Sequence, residues 1–390
     1  MQQLGGEKGL GCPSGGRLPL RDHLRARRCL ARIVRTCILP LVALTTTQSA
    51  RARTWIVKPD ASGDRPTIQQ AILAAASGDS ILLWPGIFYE NLDMRAKQLV
   101  LRGRDGATCT VIDGQDAGRV LWMNSGTVEG ITIRNGACTC EGAGIFIDGG
   151  PAVVRDCIVE ENVAGLVPDA GTGGGLWVSA DPGYCLIQAN VIRRNIANYA
   201  GGGIAGYGVL DLIDNIVLEN HARNSGGGVV ASPRYMTGNL VAGNTALYAA
   251  AGIDVRDGEI RNNTIVSNHI EQSTGLANAV AFARFENNII ALNGSASPWS
   301  QEARGLWARS TFFQCNDIWG NDIDEVGGFG NTGGNFSADP LFCGASTGDY
   351  HLDRRSPCLS CMGLVGAYDA ACGSTSVVPV SWSSAKGMYR

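Results

Sequence analysis

The chain has 390 residues, 45% of them hydrophobic, 7% aromatic and 17% charged. That balance describes a folded chain and excludes a disordered one, and no apolar run after residue 50 is long enough to span a bilayer. The net charge of −3 divides into +8 over residues 1–53 and −11 over the rest, so the acidic body argues against a nucleic-acid partner, while 53 glycines call for many tight corners or a repeat.

At the N-terminus, Arg25, Arg27, Arg28, Arg32 and Arg35 precede a short apolar run from Cys37 to Leu44, followed by Ala50-Arg51-Ala52. A basic stretch, a brief apolar core and a small-x-small pattern read as a secretory leader over residues 1–52, which places the mature chain outside the cell or at its surface. Of the 13 cysteines, Cys12, Cys29 and Cys37 leave with the leader, and an even number remains. Cys343, Cys358, Cys361 and Cys372 crowd the last fifty residues; without a second pair at zinc spacing they favour disulfides over a metal site. Cys157 and Cys315 lie in strand-like stretches and read as buried thiols.

After the leader, Thr67-Ile-Gln-Gln70 has the form of a helix-capping box, with Gln70 reaching back. Ile68, Ala71, Ile72 and Ala75 form one apolar stripe that ends at Gly78, which predicts a short helix lying across the first coil of strands. Strands begin at Ser80-Ile-Leu-Leu-Trp84 and continue through Gln98-Leu-Val-Leu-Arg102.

From there one pattern recurs: Gly130-ITIR-Asn135, Cys157-IVEE-Asn162, Asn190-VIRR-Asn195, Asn215-IVLE-Asn220, Asn239-LVAG-Asn244, Asn263-TIVS-Asn268, Asn288-IIAL-Asn293 and Asn316-DIWG-Asn321. A glycine series, Gly144, Gly175, Gly203, Gly228, Gly252 and Gly275, runs in step with it. The period leaves room for three short β runs and three corners, and Ile and Val are enriched at alternate positions. Asparagine tolerates left-handed backbone, and its amide can bond to its copy one coil away. A leucine-rich repeat would need Leu-x-x-Leu-x-Leu, which is absent.

The predicted fold is therefore all-β, a right-handed parallel β-helix of three-strand coils, about ten in number. The N-terminal cap and coils are expected over 53–334, a Cys-rich C-terminal cap over 335–372 and a separate tail over 373–390.

Thr67-IQQAILAAASGDSILLWPGIFYENL, the Asn-x-x-x-x-Asn coils, Ala338-DPLF and Gly348-DYHLDRRSPC together resemble secreted bacterial right-handed β-helix proteins of the pectin-lyase-like superfamily. The resemblance covers roughly residues 55–370. It implies the fold, and it implies that sugar chains lie along the stacked strands of one face. Counted from the glycine series, the outward positions of that face are Phe146, Trp177, Ala205, Val230, Asp254 and Ala277, then Asp148, Ser179, Tyr207, Ser232, Arg256 and Ala279.

Phe146, Trp177 and Tyr207 are thus candidates to stack on sugar rings. Asp254 and Arg256 are candidates to fix hydroxyls or a carboxylate, and Arg234 and Asp181 to extend the groove. The same residues also fit a purely structural reading, with the rings covered by loops and Asp254 paired to Arg256.

For catalysis, Asp254, Arg256 and Asp257 are the compact candidates. A lyase would add a calcium ion; no other cofactor and no metal site is indicated. The Asn-Thr-Asp and Arg-Ile-Lys signatures of polygalacturonases and the Trp-Ile-Asp-His run of pectate lyases are absent. His221 and His269 each follow a repeat asparagine and read as turn residues, and His351 has no evident partner. The expected function is that of a secreted or surface β-helix protein, non-catalytic, which binds polysaccharide or cell-surface glycan or contributes to the cell surface, with a lyase or glycoside hydrolase acting on an acidic polysaccharide as the alternative.

Overall fold

The computed structural model describes residues 51–167, 170–272, 279–281, 283–295, 304–308, 312–328, 331–361 and 363–372. The leader up to residue 50, Gly275, Ala277 and the tail from 373 lie outside them. The chain winds as a right-handed parallel β-solenoid of about ten turns, and each coil presents up to four faces. Face 1 runs from Leu92–Asp93 to Ile323–Gly328, face 2 from Thr54–Val57 to Asn331–Gly333, and face 3 from Gly86–Tyr89 to Asp317–Trp319. Face 4 is a ladder of two-residue strands from Ala137–Cys138 to Gly294–Ser295, an addition to the three runs expected from the period. Faces 1 and 2 merge where Leu176–Gln188 and Ile204–Ile213 run unbroken round the corner.

The helix forms at Ile68–Ala74, with Ile68, Ala71 and Ile72 buried and Thr67 accepting from the Gln70 backbone amide at 3.1 Å. The carboxylate that completes the cap is Glu90, which accepts from the Ile68 and Gln69 amides at 2.8 and 2.9 Å. At the other end Lys97 Nζ donates to the Ile72 and Leu73 carbonyls. Both helix ends are therefore met by charges of the sign the helix dipole favours.

Inside the solenoid two asparagine ladders run along the axis. Between faces 2 and 3, Asn190, Asn215, Asn239, Asn263, Asn288, Asn316 and Asn335 bond in sequence, each Nδ2 donating to the next Oδ1 at 2.9 to 3.0 Å. Between faces 3 and 4, Asn162, Asn195, Asn220, Asn244, Asn268, Asn293 and Asn321 do the same. Each amide also donates to a carbonyl of a neighbouring coil, as Asn220 does to Ile192, so the buried side chains satisfy one another and the corners.

Two details differ from the sequence reading. Asn135 lies outside the ladder. Strand register pairs Thr132 with Ile158, so Gly136 takes the ladder position, and its N–H donates to Asn162 Oδ1 at 2.8 Å. The left-handed residue is also not the asparagine but the one before it: Glu161, Ala189, Arg194, Asp214, Glu219, Asn262, Ser267, Asn287, Leu292 and Cys315 all have φ between 52° and 58°. Such backbone costs an L-residue roughly 1–2 kcal/mol. The buried amide that follows offsets this cost by bonding the corner on both sides.

The segment from Phe336 to Tyr368 packs on the outward side of face 3. Tyr350, Leu352, Cys358, Val365 and Tyr368 share one apolar cluster with Leu240, Val266, Ile289 and Ala291. Disulfides join Cys138 to Cys140, Cys315 to Cys361 and Cys343 to Cys372. Cys157 is a buried free thiol as expected; Cys315 is not, because the C-terminal segment brings Cys361 against it.

Candidate functional site

In three successive coils face 1 begins after a glycine pair: Gly174 and Gly175, Gly202 and Gly203, Gly227 and Gly228. At Gly175 and Gly203 a Cβ would lie 2.6 and 2.7 Å from the Gly203 and Gly228 carbonyl oxygens, so successive coils close up at this corner only without side chains. The strand that follows turns alternate residues outward. Parallel register stacks Trp122, Phe146, Trp177, Ala205, Val230 and Asp254 in one column. In the next coil Val280 pairs with Asp254 and Ala279 with Ile253. Asp148, Ser179 and Tyr207 form the second column.

The aromatic side chains meet. The Trp122 and Phe146 rings are 5.4 Å apart, edge to face. Phe146 and Trp177 stack at 4.5 Å, and Trp177 meets Tyr207 edge-on at 5.5 Å. Tyr207 is 49% exposed, and Phe146 and Trp177 are half-buried by one another. Two guanidiniums border the strip. Arg95 lies 3.6 Å from the Trp122 centroid, and Arg119 lies 4.7 and 4.3 Å from Trp122 and Phe146. Arg119 is anchored through the Gly142 and Glu141 carbonyls, and burial lowers its pKa. Arg95 holds Asp93, whose carboxyl drops below its ordinary range through that bond. Trp122 Nε1 is buried without a hydrogen-bond partner.

Trp122, Arg95 and Arg119 escape a reading based on the glycine series, which starts one coil later. The spacing of Trp122 from Phe146, close to the repeat period, is the signal that finds Trp122. Neither arginine carries a periodic mark.

Asp254 sits further along the column, beyond Ala205 and Val230. It is 8% exposed, accepts from Ser225 Oγ at 3.4 Å and lies 3.8 Å from Arg256 Nη2. Desolvation raises its pKa, against the opposing pull of Arg256. Asp257 is exposed, and its Oδ1 accepts from the Gly258 amide at 2.7 Å. The structure thus brings Asp254 and Arg256 together, with Asp257 engaged in its own turn.

Among the described residues no group of three or more His, Cys, Asp or Glu side chains is placed to hold a metal ion. The Asp254 and Asp257 set is too sparse in oxygen donors for calcium.

The remaining candidates lie elsewhere. Arg234 clamps the buried Asp211 at 3.0 and 2.6 Å on face 2, where Tyr184 also donates to Asp211, and the Tyr184 and Tyr235 rings flank the guanidinium. Asp181 is an exposed corner residue. His221 and His269 share a column on face 4, with His221 Nδ1 2.8 Å from Thr245 Oγ1 and 3.5 Å from Glu271. His351 does have partners: its Nδ1 lies 2.7 Å from Asp349, and its ring stacks on Tyr368 at 4.9 Å.

No family model matches the chain. The crystal structure of pectate lyase Pel9A superposes with a TM-score of 0.53 at 11% identity, covering 82% of this chain and 96% of that one. The chain has the pectate-lyase fold. In sequence, the probable pectinesterase/pectinesterase inhibitor 17 of Arabidopsis thaliana is 37% identical over 95 residues. That match takes in 21% of this chain and 18% of the relative. Within the pectate-lyase fold the aromatic strip occupies one outward face of the strand stack, and among the described residues no helix is long and apolar enough to cross a membrane.

Proposed function

We propose that this chain is an extracellular or cell-surface protein that binds an extended acidic polysaccharide of the pectin type along face 1 without cleaving it. The observation that carries this reading is the continuous strip Trp122–Phe146–Trp177–Tyr207, bordered by Arg95 and Arg119. Coils stack about 4.8 Å apart, so four aromatic side chains at that rise give an elongated ligand several points of contact. The exposed ring edges of the strip and the Tyr207 ring suit the apolar sides of pyranoses, and the guanidiniums suit uronate carboxylates. The names of the structural neighbour and of the partial relative both specify pectin-type material, and the three disulfides fit an oxidising compartment.

A second reading rests on Asp254. A desolvated carboxyl beside Arg256, its pKa raised by burial, is a candidate for the general acid that a polysaccharide hydrolase or lyase needs. The protein is incubated with polygalacturonate, esterified pectin and a neutral glucan, scoring retention on the polymer and release of unsaturated or reducing ends. Retention on polygalacturonate without product supports binding alone. Product that vanishes in Asp254→Ala or Arg256→Ala moves the function to the second reading, and neither retention nor product removes both.

A further inference from the structure

The C-terminal segment is held to the solenoid by a sulfur arrangement that the glycan reading does not use. Cys361 is bonded to Cys315 of the last coils, with Cα atoms 5.9 Å apart. Three residues earlier, in the turn Pro357–Leu359, Cys358 is a fully buried free thiol. Its Sγ donates to Asp317 Oδ2 at 3.1 Å. Cys315 and Asp317 are two residues apart on one coil, and Cys361 and Cys358 face them from the segment. A Cys-x-x-Cys turn with one sulfur bonded outward and the other free has the layout of a mixed disulfide with its resolving thiol in reserve.

We propose that Cys315, Cys358 and Cys361 form a thiol–disulfide exchange site that ties the C-terminal segment to the solenoid and can release it. The Cys358 thiolate attacks Cys361 Sγ, a Cys358–Cys361 bond forms, and the Cys315–Cys361 bond breaks with its electron pair on Cys315 Sγ. The proton given up by Cys358 is replaced by one taken up at Cys315, so no external oxidant or reductant is consumed.

Asp317 acts here as the lock. Burial and the adjacent carboxylate raise the Cys358 pKa well above that of an ordinary thiol, so the attacking thiolate is scarce at neutral pH. Release would leave the segment held by hydrogen bonds such as Gly366 N–H to Asn287 O and Asn262 Nδ2 to Leu364 O. Their loss would bare Leu240, Val266, Ile289 and Ala291 on face 3. The Cys343–Cys372 bond, which takes no sulfur from the coils, stays intact throughout.

The test is disulfide mapping of the folded protein after incubation between pH 7 and pH 10, with acid quench, alkylation in denaturant and peptide mass spectrometry. The expected result is a Cys315–Cys361 pairing at rest, with a Cys358–Cys361 product and alkylated Cys315 that accumulate about tenfold faster per pH unit. Asp317→Asn should speed the exchange at pH 8 at least tenfold, and Cys358→Ser should abolish it while keeping the Cys315–Cys361 bond. Three outcomes overturn the proposal: Cys315–Cys361 as the sole pairing at every pH, a Cys358–Cys361 bond already present at rest, or release of Cys315 that persists in Cys358→Ser.

Discussion

The rings of Phe146 and Trp177 lie 4.5 Å apart and 5° from parallel, on adjacent coils and at the same strand position. This contact makes face 1 a platform rather than a scatter of exposed aromatics. Trp177 also meets Tyr207, so Trp177→Ala should interrupt the strip at its centre. Affinity for an acidic polysaccharide is expected to fall about 10- to 30-fold, roughly 1.4–2 kcal/mol, with an unchanged circular dichroism spectrum. Tyr207→Ala, at the end of the strip, should cost less.

Arg119 borders Trp122 and Phe146 and is held in place by two backbone carbonyls. Arg119→Gln should weaken binding of polygalacturonate and flatten its salt dependence, because a positioned cation is lost. Binding of a neutral glucan should change little. Titrations at 50 and 300 mM salt read the difference.

Asn220 occupies the middle of a ladder. Its Oδ1 accepts from Asn195 N and Nδ2, and its own Nδ2 donates to Ile192 O and Asn244 Oδ1. Asn220→Ala would leave buried partners unsatisfied, at a cost of about 2–3 kcal/mol. Asn135, which bonds Asp113 outside the ladder, should cost under about 1 kcal/mol when changed to alanine. Urea unfolding of the two variants checks the ranking.

Asp254 titrates above its ordinary carboxylate range because burial disfavours its charge. A raised folded-state pKa means that its contribution to stability is fully present below the unfolded pKa and is lost as pH rises through the folded one. Asp254→Asn, which carries no charge, should therefore raise the melting temperature at pH 7 relative to the parent and change it little at pH 3.5. An equal effect at both pH values would show that the carboxyl is not desolvated in the fold.

Much of the fold is legible in the sequence because a solenoid writes its geometry once per coil. Asparagine spacing gives the stack, and Thr67 with the Ile68, Ala71 and Ile72 stripe gives the helix. Legibility fails where the period does. Asn135 misleads because Gly136 holds the ladder position in that coil.

Glu90, which caps the helix from 22 residues away, and Cys361, which reaches Cys315 across 46, are contacts between distant segments that no local pattern marks. At the candidate site, the column Phe146, Trp177 and Asp254 follows from alternation along the strands. Arg95 and Arg119 arrive from coils that precede the regular repeat. Arg234 looks equivalent to a groove residue in sequence and is instead taken up by the buried Asp211.

The most direct test of the account is calorimetric titration of a long, unesterified oligogalacturonate into the protein and into Trp177→Ala at the same ionic strength, beside a neutral glucan of equal length. Saturable binding of the acidic chain alone, weakened at least tenfold in the variant, is the predicted result. Binding equally strong in Trp177→Ala, or equally strong for the neutral chain, would contradict the assignment of face 1.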